Sequence, residues 1–418
     1  MELSKLLAKQ THDEIYCDGF RFKARKKVTD FTRNRKMTFE ELIIFMLQSR
    51  KCSTSTALRR FFASMSKTTV TMSQQSLSEA RKKINVCAFE DLFKLTVKTM
   101  TKHCVKKWCG YRIYANDGTK IALPSDEELR DFFGAMGKDK TAPTAQGSLL
   151  YDVLNDIAAD AYIKPLYADE RTLAKAHIEA VKTIAPDDKN LLIYDRGYAS
   201  FELISKHETE GLYYLMRVKS KFNLSIDAQT ESDGYVWLEQ DGKRIHVRVI
   251  KFQLDNGKTE TLITNITDKR LGKKAFKKLY FLRWPVECKY DVVKNKLQLE
   301  NFNTRTVEGI QQDFYAAMYL TNFAAACAAD AHESIKSSRK NNENKYEYKA
   351  NMNELIGILK DRFVFALTVE DDDEQAHIID SVLGEIKRYV IPIRDNRQAP
   401  RNAFPRKAKF HHNQKANC

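Results

Sequence analysis

Two short apolar segments far apart in the chain each run into an aspartate. RIYAND ends at Asp117 and is followed by Gly118-Thr119; LLIYD ends at Asp195 and is followed by Arg196-Gly197. Runs of this length and composition read as buried strands, and the residues after them as turns. SLLYDVL (148–154) and IAADAYI (157–163) read as two further strands joined at Asn155-Asp156, and LYYLMRV (212–218) as another. Helical patterns at 171–184 and 201–207 lie between the later ones. Strands alternating with helical crossovers predict an α/β layer with mixed pairing. If the strands ending at Asp117 and Asp195 are parallel neighbours, their C-terminal ends lie side by side, where sheet-based sites form.

A second polar cluster is compact in sequence. In YFLRWPVECKYDVVK, Tyr280, Arg283, Glu287 and Lys294 fall at offsets 0, 3, 7 and 14, which share one face of a helix. Arg283 and Glu287 also have the spacing of an ordinary solvated i,i+4 pair. Pro285 interrupts the stretch, so a kink or a new helix with Pro285 at its first position is expected there. In the second case Glu287 sits in a first turn, where the helix dipole favours a negative charge.

The remaining chain flanks these motifs. Residues 1–107 read as helical, with a Thr38/Glu41 capping box and helices expected after Ser53, over 73–84 and over 89–100. Eight basic residues lie between Arg21 and Lys36 against the single acid Asp30; a solvated basic face and a DNA-backbone contact both fit them. Between 219 and 268, VWLEQ and IHVRVIKF flank Asp241-Gly242, and ETLIT follows Asp255-Asn256-Gly257, which are hairpin signals of a β-rich module. An Ala-rich buried helix is expected over 307–330, a polar linker after it, helices over 353–365 and 374–389, and a basic tail from Arg394 onward. The tail's His411 and His412 have no neighbouring ligands to complete a metal site.

Composition narrows the partners. With 70 basic and 55 acidic residues in 418, the net charge of +15 favours a polyanion, nucleic acid before membrane. No apolar run reaches the roughly 20 residues that span a bilayer, and the first residues lack a signal core, so a cytosolic protein is expected. The eight cysteines form no CxxC pair and read as reduced thiols.

Asp117, Asp195 and Glu287 together suit two divalent cations about 3.5–4 Å apart that would clamp an in-line displacement at phosphorus. Taken singly, each aspartate also reads as a turn or cap residue. The pattern Tyr-x2-Arg-x3-Glu-x6-Lys, met by Tyr280, Arg283, Glu287 and Lys294, resembles the signature of the DDE transposases of bacterial insertion sequences, specifically insertion-sequence family four. Asp117-Gly118-Thr119 and Tyr194-Asp195-Arg196-Gly197-Tyr198 resemble that family's two aspartate motifs, and the β-rich insertion before the glutamate matches its layout. The resemblance covers roughly residues 40–325. It implies an α/β fold: an RNase H-like catalytic core (108–330) with the β-rich module (219–268) inserted, flanked by a helical, DNA-binding N-terminal region (1–107) and a helical C-terminal region with a basic tail (331–418). It implies Asp117, Asp195 and Glu287 as catalytic ligands of two Mg²⁺ ions, with Mn²⁺ able to substitute. Tyr280, Arg283 and Lys294 would hold transposon-end phosphates, and Arg196 would contact the end. Trp284 reads either as a packing residue or as the aromatic on which a flipped terminal base stacks. The implied partners are double-stranded inverted-repeat ends and target DNA, joined by at least a dimer, with no membrane. The implied location is the cytoplasm at the nucleoid, and the implied reaction cut-and-paste transposition through a hairpin. A non-catalytic DNA-binding relative and a stand-alone nuclease of the same superfold are the alternatives.

Overall fold

The computed structural model describes residues 2–33, 35–137, 139–254, 257–338 and 346–394. The Asp255-Asn256 pair, residues 339–345 of the expected linker, and the basic tail beyond Arg394 with His411 and His412 lie outside the described residues. The chain divides into two compact units, one of Met1–Met100, Ile121–Ala145 and Asp291–Cys418, the other of Thr101–Lys120 and Gln146–Tyr290.

The first unit opens with helices α1 (Leu3–Tyr16), α2 (Asp18–Ala24), α3 (Phe39–Leu47), α4 (Thr54–Ser64), α5 (Gln74–Arg81) and α6 (Cys87–His103). The Thr38/Glu41 capping box is present at α3, and Ser53 and Ser73 cap α4 and α5 through their hydroxyls, each satisfying an otherwise orphaned N–H. The basic run from Arg21 begins within a helix. Its first residues lie on α2, where Arg21 pairs with Glu40 and Lys23 with Asp91, and Lys26 Nζ lies 2.6 Å from Glu308 Oε1.

The central sheet has nine strands among the described residues: β1 (Tyr111–Ala122), β2 (Ala135–Met136) after α7 (Glu127–Phe133), β3 (Ala142–Asp152), β4 (Ile157–Pro165), β5 (Lys189–Tyr194), β6 (Tyr213–Val218), β7 (Asp233–Gln240), β8 (Lys243–Gln253) and β9 (Thr259–Thr264). Helices α8 (Glu170–Ile184), α9 (Phe201–Glu210) and α10 (Leu224–Ala228) lie between them. The order is β2-β3-β1-β5-β6-β9-β8-β7, with β4 also paired to β3. Strands β1, β5 and β6 are parallel. The path β4-β3-β1-β5-β6 is the RNase H-like arrangement of a mixed α/β core. Period-two alternation sends Tyr114, Leu192 and Tyr194 to a face packed against α8 and α9, and Ile113, Leu191 and Ile193 to the opposite face. Burial on both faces explains why LLIY is uninterrupted apolar sequence.

The β-rich module forms as expected around Asp241 and Gly242, whose positive φ angles of 51° and 72° fit a two-residue hairpin turn. It is not separate from the core, because β9 pairs antiparallel with β6 and continues the same sheet. A second difference lies at Asp117. The strand does not stop there but runs through Gly118 and Thr119 to Ala122.

After the sheet come α11 (Lys273–Phe281), α12 (Pro285–Asp291) and a π-turn (Val292–Lys296). The expected break is present: α11 stops at Phe281, and Pro285, whose missing N–H costs nothing at a helix start, opens α12. In the first unit α13 (Val307–Ser338) runs eight residues past the expected end at 330, into the sequence read as linker. Near its middle it is buried all round, and Tyr319 Oη meets Thr11 Oγ1 of α1 at 2.8 Å. Helices α14 (Met352–Thr368) and α15 (Asp372–Ile386) complete this unit, with the short β10 (Tyr348–Ala350) and β11 (Val390–Pro392) paired antiparallel. Among the described residues no helix is long and apolar enough to cross a membrane.

Candidate active site

Backbone register places the two aspartates. In the parallel pair β1/β5, Ala115 stands opposite Ile193. Asp117, further along β1, and Asp195, the residue after β5, follow the last ladder pair, and the same offset continued would set them level. Both share the parity of Ile113 and Ile193, so both face the side of the sheet that Phe276, Leu279 and Tyr280 of α11 cover. The β5/β6 register, Tyr194 opposite Met216, carries the row on to Arg217, which pairs with Glu260 at 3.1 Å. Arg217 was not singled out from sequence; it lay inside an apolar strand, and only the register connects it to Asp195.

Helix α11 delivers its last turn onto this row. The Tyr280 hydroxyl donates to Asp195 Oδ1 at 3.2 Å. Arg283, in the break between α11 and α12, donates from Nη2 to Glu287 Oε1 at 2.8 Å. The i,i+4 pairing survives the break because the backbone turns continuously: the N–H of Arg283 bonds to Tyr280, that of Trp284 to Phe281, that of Val286 to Arg283, and that of Glu287 to Trp284.

The electrostatics show that these groups sense one another. The Asp117 carboxyl is pushed up to about 6, chiefly by burial and further by the negative charges of Glu287 and Asp195, while Arg283 opposes the rise. Burial works against the charged form of the Arg283 guanidinium, yet its pKa is raised, by the Glu287 hydrogen bond and by the nearby Tyr280, Asp195 and Asp117. The Tyr280 phenol is driven upward by burial and by Asp195.

Three neighbours of Asp117 escaped the sequence reading. The Tyr290 hydroxyl of α12 donates to the Asp117 backbone carbonyl at 2.8 Å. Gly118 lets its strand pass close to Gln146 and Glu170: a Cβ there would stand 2.8 Å from Gln146 Nε2 and 2.8 Å from Glu170 Oε1, well inside contact distance. Gln146 Nε2 in turn donates to Glu170 Oε1 at 3.2 Å. The turn signal read into Gly118-Thr119 concealed this tight crossing inside a strand.

Of the eight sequence candidates, Asp117, Asp195, Tyr280, Arg283 and Glu287 are thus joined within the second unit by bonds or mutual fields. Arg196 lies exposed on the turn after β5, and Trp284 is 49% exposed beside Phe281 at 60%. Lys294 falls in the first unit, on the π-turn, with its Nζ 3.3 Å from Glu300 Oε1. Among the described residues no three His, Cys, Asp or Glu side chains are gathered into one ligand sphere; Glu287 is engaged by Arg283 instead.

Comparison with known proteins gives this geometry a family. A transposase from Escherichia coli K12, described as putative transposase InsZ, is 20% identical over 146 residues, 34% of this chain. The match spans 47%, about half, of that protein's length. The solved synaptic complex of the piggyBac transposase with hairpin DNA aligns with 96% of this chain and 87% of its own at 10% identity, with a TM-score of 0.49. The family model described as the transposase DDE domain matches residues 108–323, more than half of the chain and the whole span from β1 to α12. The chain belongs to the DDE transposase domain family.

Proposed function

We propose that the protein is a transposase of the insertion-sequence family four group, which cuts DNA at terminal inverted repeats through a hairpin intermediate and joins the freed ends to target DNA. The observation that carries this reading is the bond from Tyr280 of α11 to Asp195, with the charges of Glu287 and Asp195 both felt at Asp117. The donor types suit a divalent metal: three carboxylates would supply hard oxygen ligands once Glu287 leaves Arg283, and the rise at Asp117 is in part a mutual repulsion that a dication would relieve. Asp117, Asp195 and Glu287 would hold two Mg²⁺ ions, or Mn²⁺. When bound, the ions supply the positive charge that stabilises an in-line displacement at phosphorus.

The chain's own side chains do the rest. Tyr280 fixes the rotamer of Asp195. Arg283 neutralises Glu287 and is the natural group to turn its guanidinium to a DNA phosphate once the carboxylate is otherwise engaged. Lys294 and Arg196 contribute further phosphate contacts. Trp284, exposed at the break before Pro285, offers a face on which a displaced base stacks. The N-terminal helices contact the DNA ends, and two copies hold the two ends in the cytoplasm, at the nucleoid.

The test is cleavage of a plasmid carrying the DNA that flanks the coding region, in Mg²⁺. Wild type should release the segment, and Glu287→Ala should bind the ends without cutting. A Glu287→Ala protein that still cuts overturns the assignment; cutting without joining of pre-cut ends makes the protein a nuclease.

A further inference from the structure

The first unit contains a cavity of about 640 Å³ whose wall is strongly cationic. Arg50, Lys51, Arg81, Lys82 and Arg305 line it, against the single lining acid Asp313. Asp313 is already engaged by Arg81, Nη2 to Oδ1 at 2.8 Å, and Arg50 pairs with Asp361, which is not a lining residue, at 3.0 Å. Lys51 is the exception. It is 8% exposed, yet among the described residues no carboxylate lies within ion-pairing distance of its ammonium, which sits 5.7 Å over the Phe302 ring. A nearly buried cation without a hydrogen-bonded anion is costly, and folded chains rarely keep one without use. The field of Asp313 offsets that burial only in part. Burial pushes the Lys51 amine down, with Asp313 opposing and Arg81 adding to the fall; Lys360 is lowered to about 8 by burial and by the charges of Lys51 and Arg50.

The backbone around Lys51 is held in place. Asn301 Nδ2 donates to the Lys51 carbonyl at 3.0 Å and Asn303 Nδ2 to that of Arg50 at 3.1 Å, and Ser49 takes a positive φ of 48°. Two helices also begin at the rim. Ser53 and Thr54 at the start of α4, and Gln74 and Gln75 at the start of α5, line the cavity, so both positive dipole ends border it.

We propose that this cavity is a binding site for a phosphate group, with the Lys51 ammonium as its central contact and the starts of α4 and α5 as its rim. The phosphate is either a backbone phosphodiester of bound DNA or that of a free nucleotide. The site is distinct from the carboxylate cluster and does not depend on the reading of that cluster.

The test uses the full chain at fixed ionic strength. Thermal unfolding is followed with and without inorganic phosphate, alongside Lys51→Met and Ser78→Glu. Ser78 is an exposed wall residue, so its replacement sets a carboxylate into the cavity without touching the core. Phosphate should raise the melting temperature of wild type. Both variants should lose that response, with apparent phosphate affinity down tenfold or more, and Lys51→Met should melt no lower than wild type without phosphate. Should Lys51→Met fail to fold, Ser78→Glu decides alone. Binding of a labelled 20-base-pair duplex and of AMP then separates the sources. If the group belongs to DNA, the variants lose about one unit of salt slope on the duplex; if it belongs to a nucleotide, duplex binding stays and the AMP response goes. Variants that match wild type with phosphate, duplex and AMP overturn the proposal.

Discussion

Tyr280 and Asp195 are 85 residues apart in sequence and joined by one hydrogen bond of 3.2 Å, from the last turn of α11 to the end of β5. That bond ties the helix carrying the signature to the strand carrying the second aspartate. Tyr280→Phe removes it while keeping the ring's packing. A hydrogen bond to a charged group is worth about 1.5–3 kcal/mol, so cleavage should slow by about tenfold or more with the fold intact. Single-turnover cleavage rates check this; an unchanged rate would show that Asp195 is positioned without Tyr280.

Arg283 is the counter-charge for the cluster. Arg283→Ala should leave Glu287 without its 2.8 Å partner and move the Asp117 carboxyl further up, because the guanidinium is the largest influence holding it down. In metal-free protein the variant should lose about 1–2 kcal/mol of stability. A double-mutant cycle with Glu287→Gln, read by denaturant unfolding, should return a coupling well above the scatter of independent sites.

The pH dependence has a definite sign. Asp117 titrates at about 6 in the folded chain and near 3.8 unfolded, so between those values the folded state binds the proton more tightly. Metal-free protein therefore gains stability from this group as pH falls from about 7 to 4, and loses it as pH rises through 6. Asp117→Asn should abolish that increment and be the more stable protein at pH 7, by up to about 3 kcal/mol. Melting temperatures in EDTA across pH 4–8 test it, and parallel curves for the two proteins would refute it. Calorimetric titration with Mn²⁺ should show the Asn variant binding metal more weakly.

Gly118 faces a steric limit. Its Cβ in Gly118→Ala would press on Gln146 and Glu170 at 2.8 Å each, and relief requires those side chains to move beside Asp117. Both atoms are the far ends of flexible side chains and Glu170 is exposed, so the cost should fall at the low end of overpacking, about 1 kcal/mol, set mainly by buried Gln146. Adding Gln146→Ala, which removes one of the two clashing groups, should recover part of the loss in thermal unfolding.

Trp284 can be separated from the chemistry. On the proposed hairpin route, Trp284→Ala should leave nicking of the first strand near wild type and slow hairpin formation, with a 2-aminopurine at the terminal base reporting loss of unstacking. Equal slowing of both steps would count against a stacking role.

How far the sequence carried depended on the range of the physics involved. Asp117 and Asp195 were readable because an apolar run broken by a carboxylate is a local pattern, and the Pro285 break because proline's missing N–H acts within one turn. Hairpins such as Asp241-Gly242 were equally local. The relation of Arg217 to Asp195, the pairing of β9 with β6, and the crossing at Gly118 are decided by which strands become neighbours, which no window of sequence contains. The basic run after Arg21 shows the converse: the partners Glu40, Asp91 and Glu308 of three of its cations are remote in sequence, so no local window reveals which of its charges are paired.

The β1/β5 ladder also decides where this chain can change length. Between Asp117 and Asp195 lie α7, β2, β3, β4, α8 and their connections, and residues can be added to those connections without shifting the paired segments Tyr111–Ala115 and Lys189–Ile193. Within Tyr111–Ala115 or Lys189–Ile193 there is no such slack. One residue inserted there would turn its aspartate to the α8 and α9 face, across the sheet from α11. Glu287 has no ladder to index it and is held by a short helix behind a proline break. Its helix can shift without unpairing a strand, and what ties its carboxylate to the rest is the bond from Arg283.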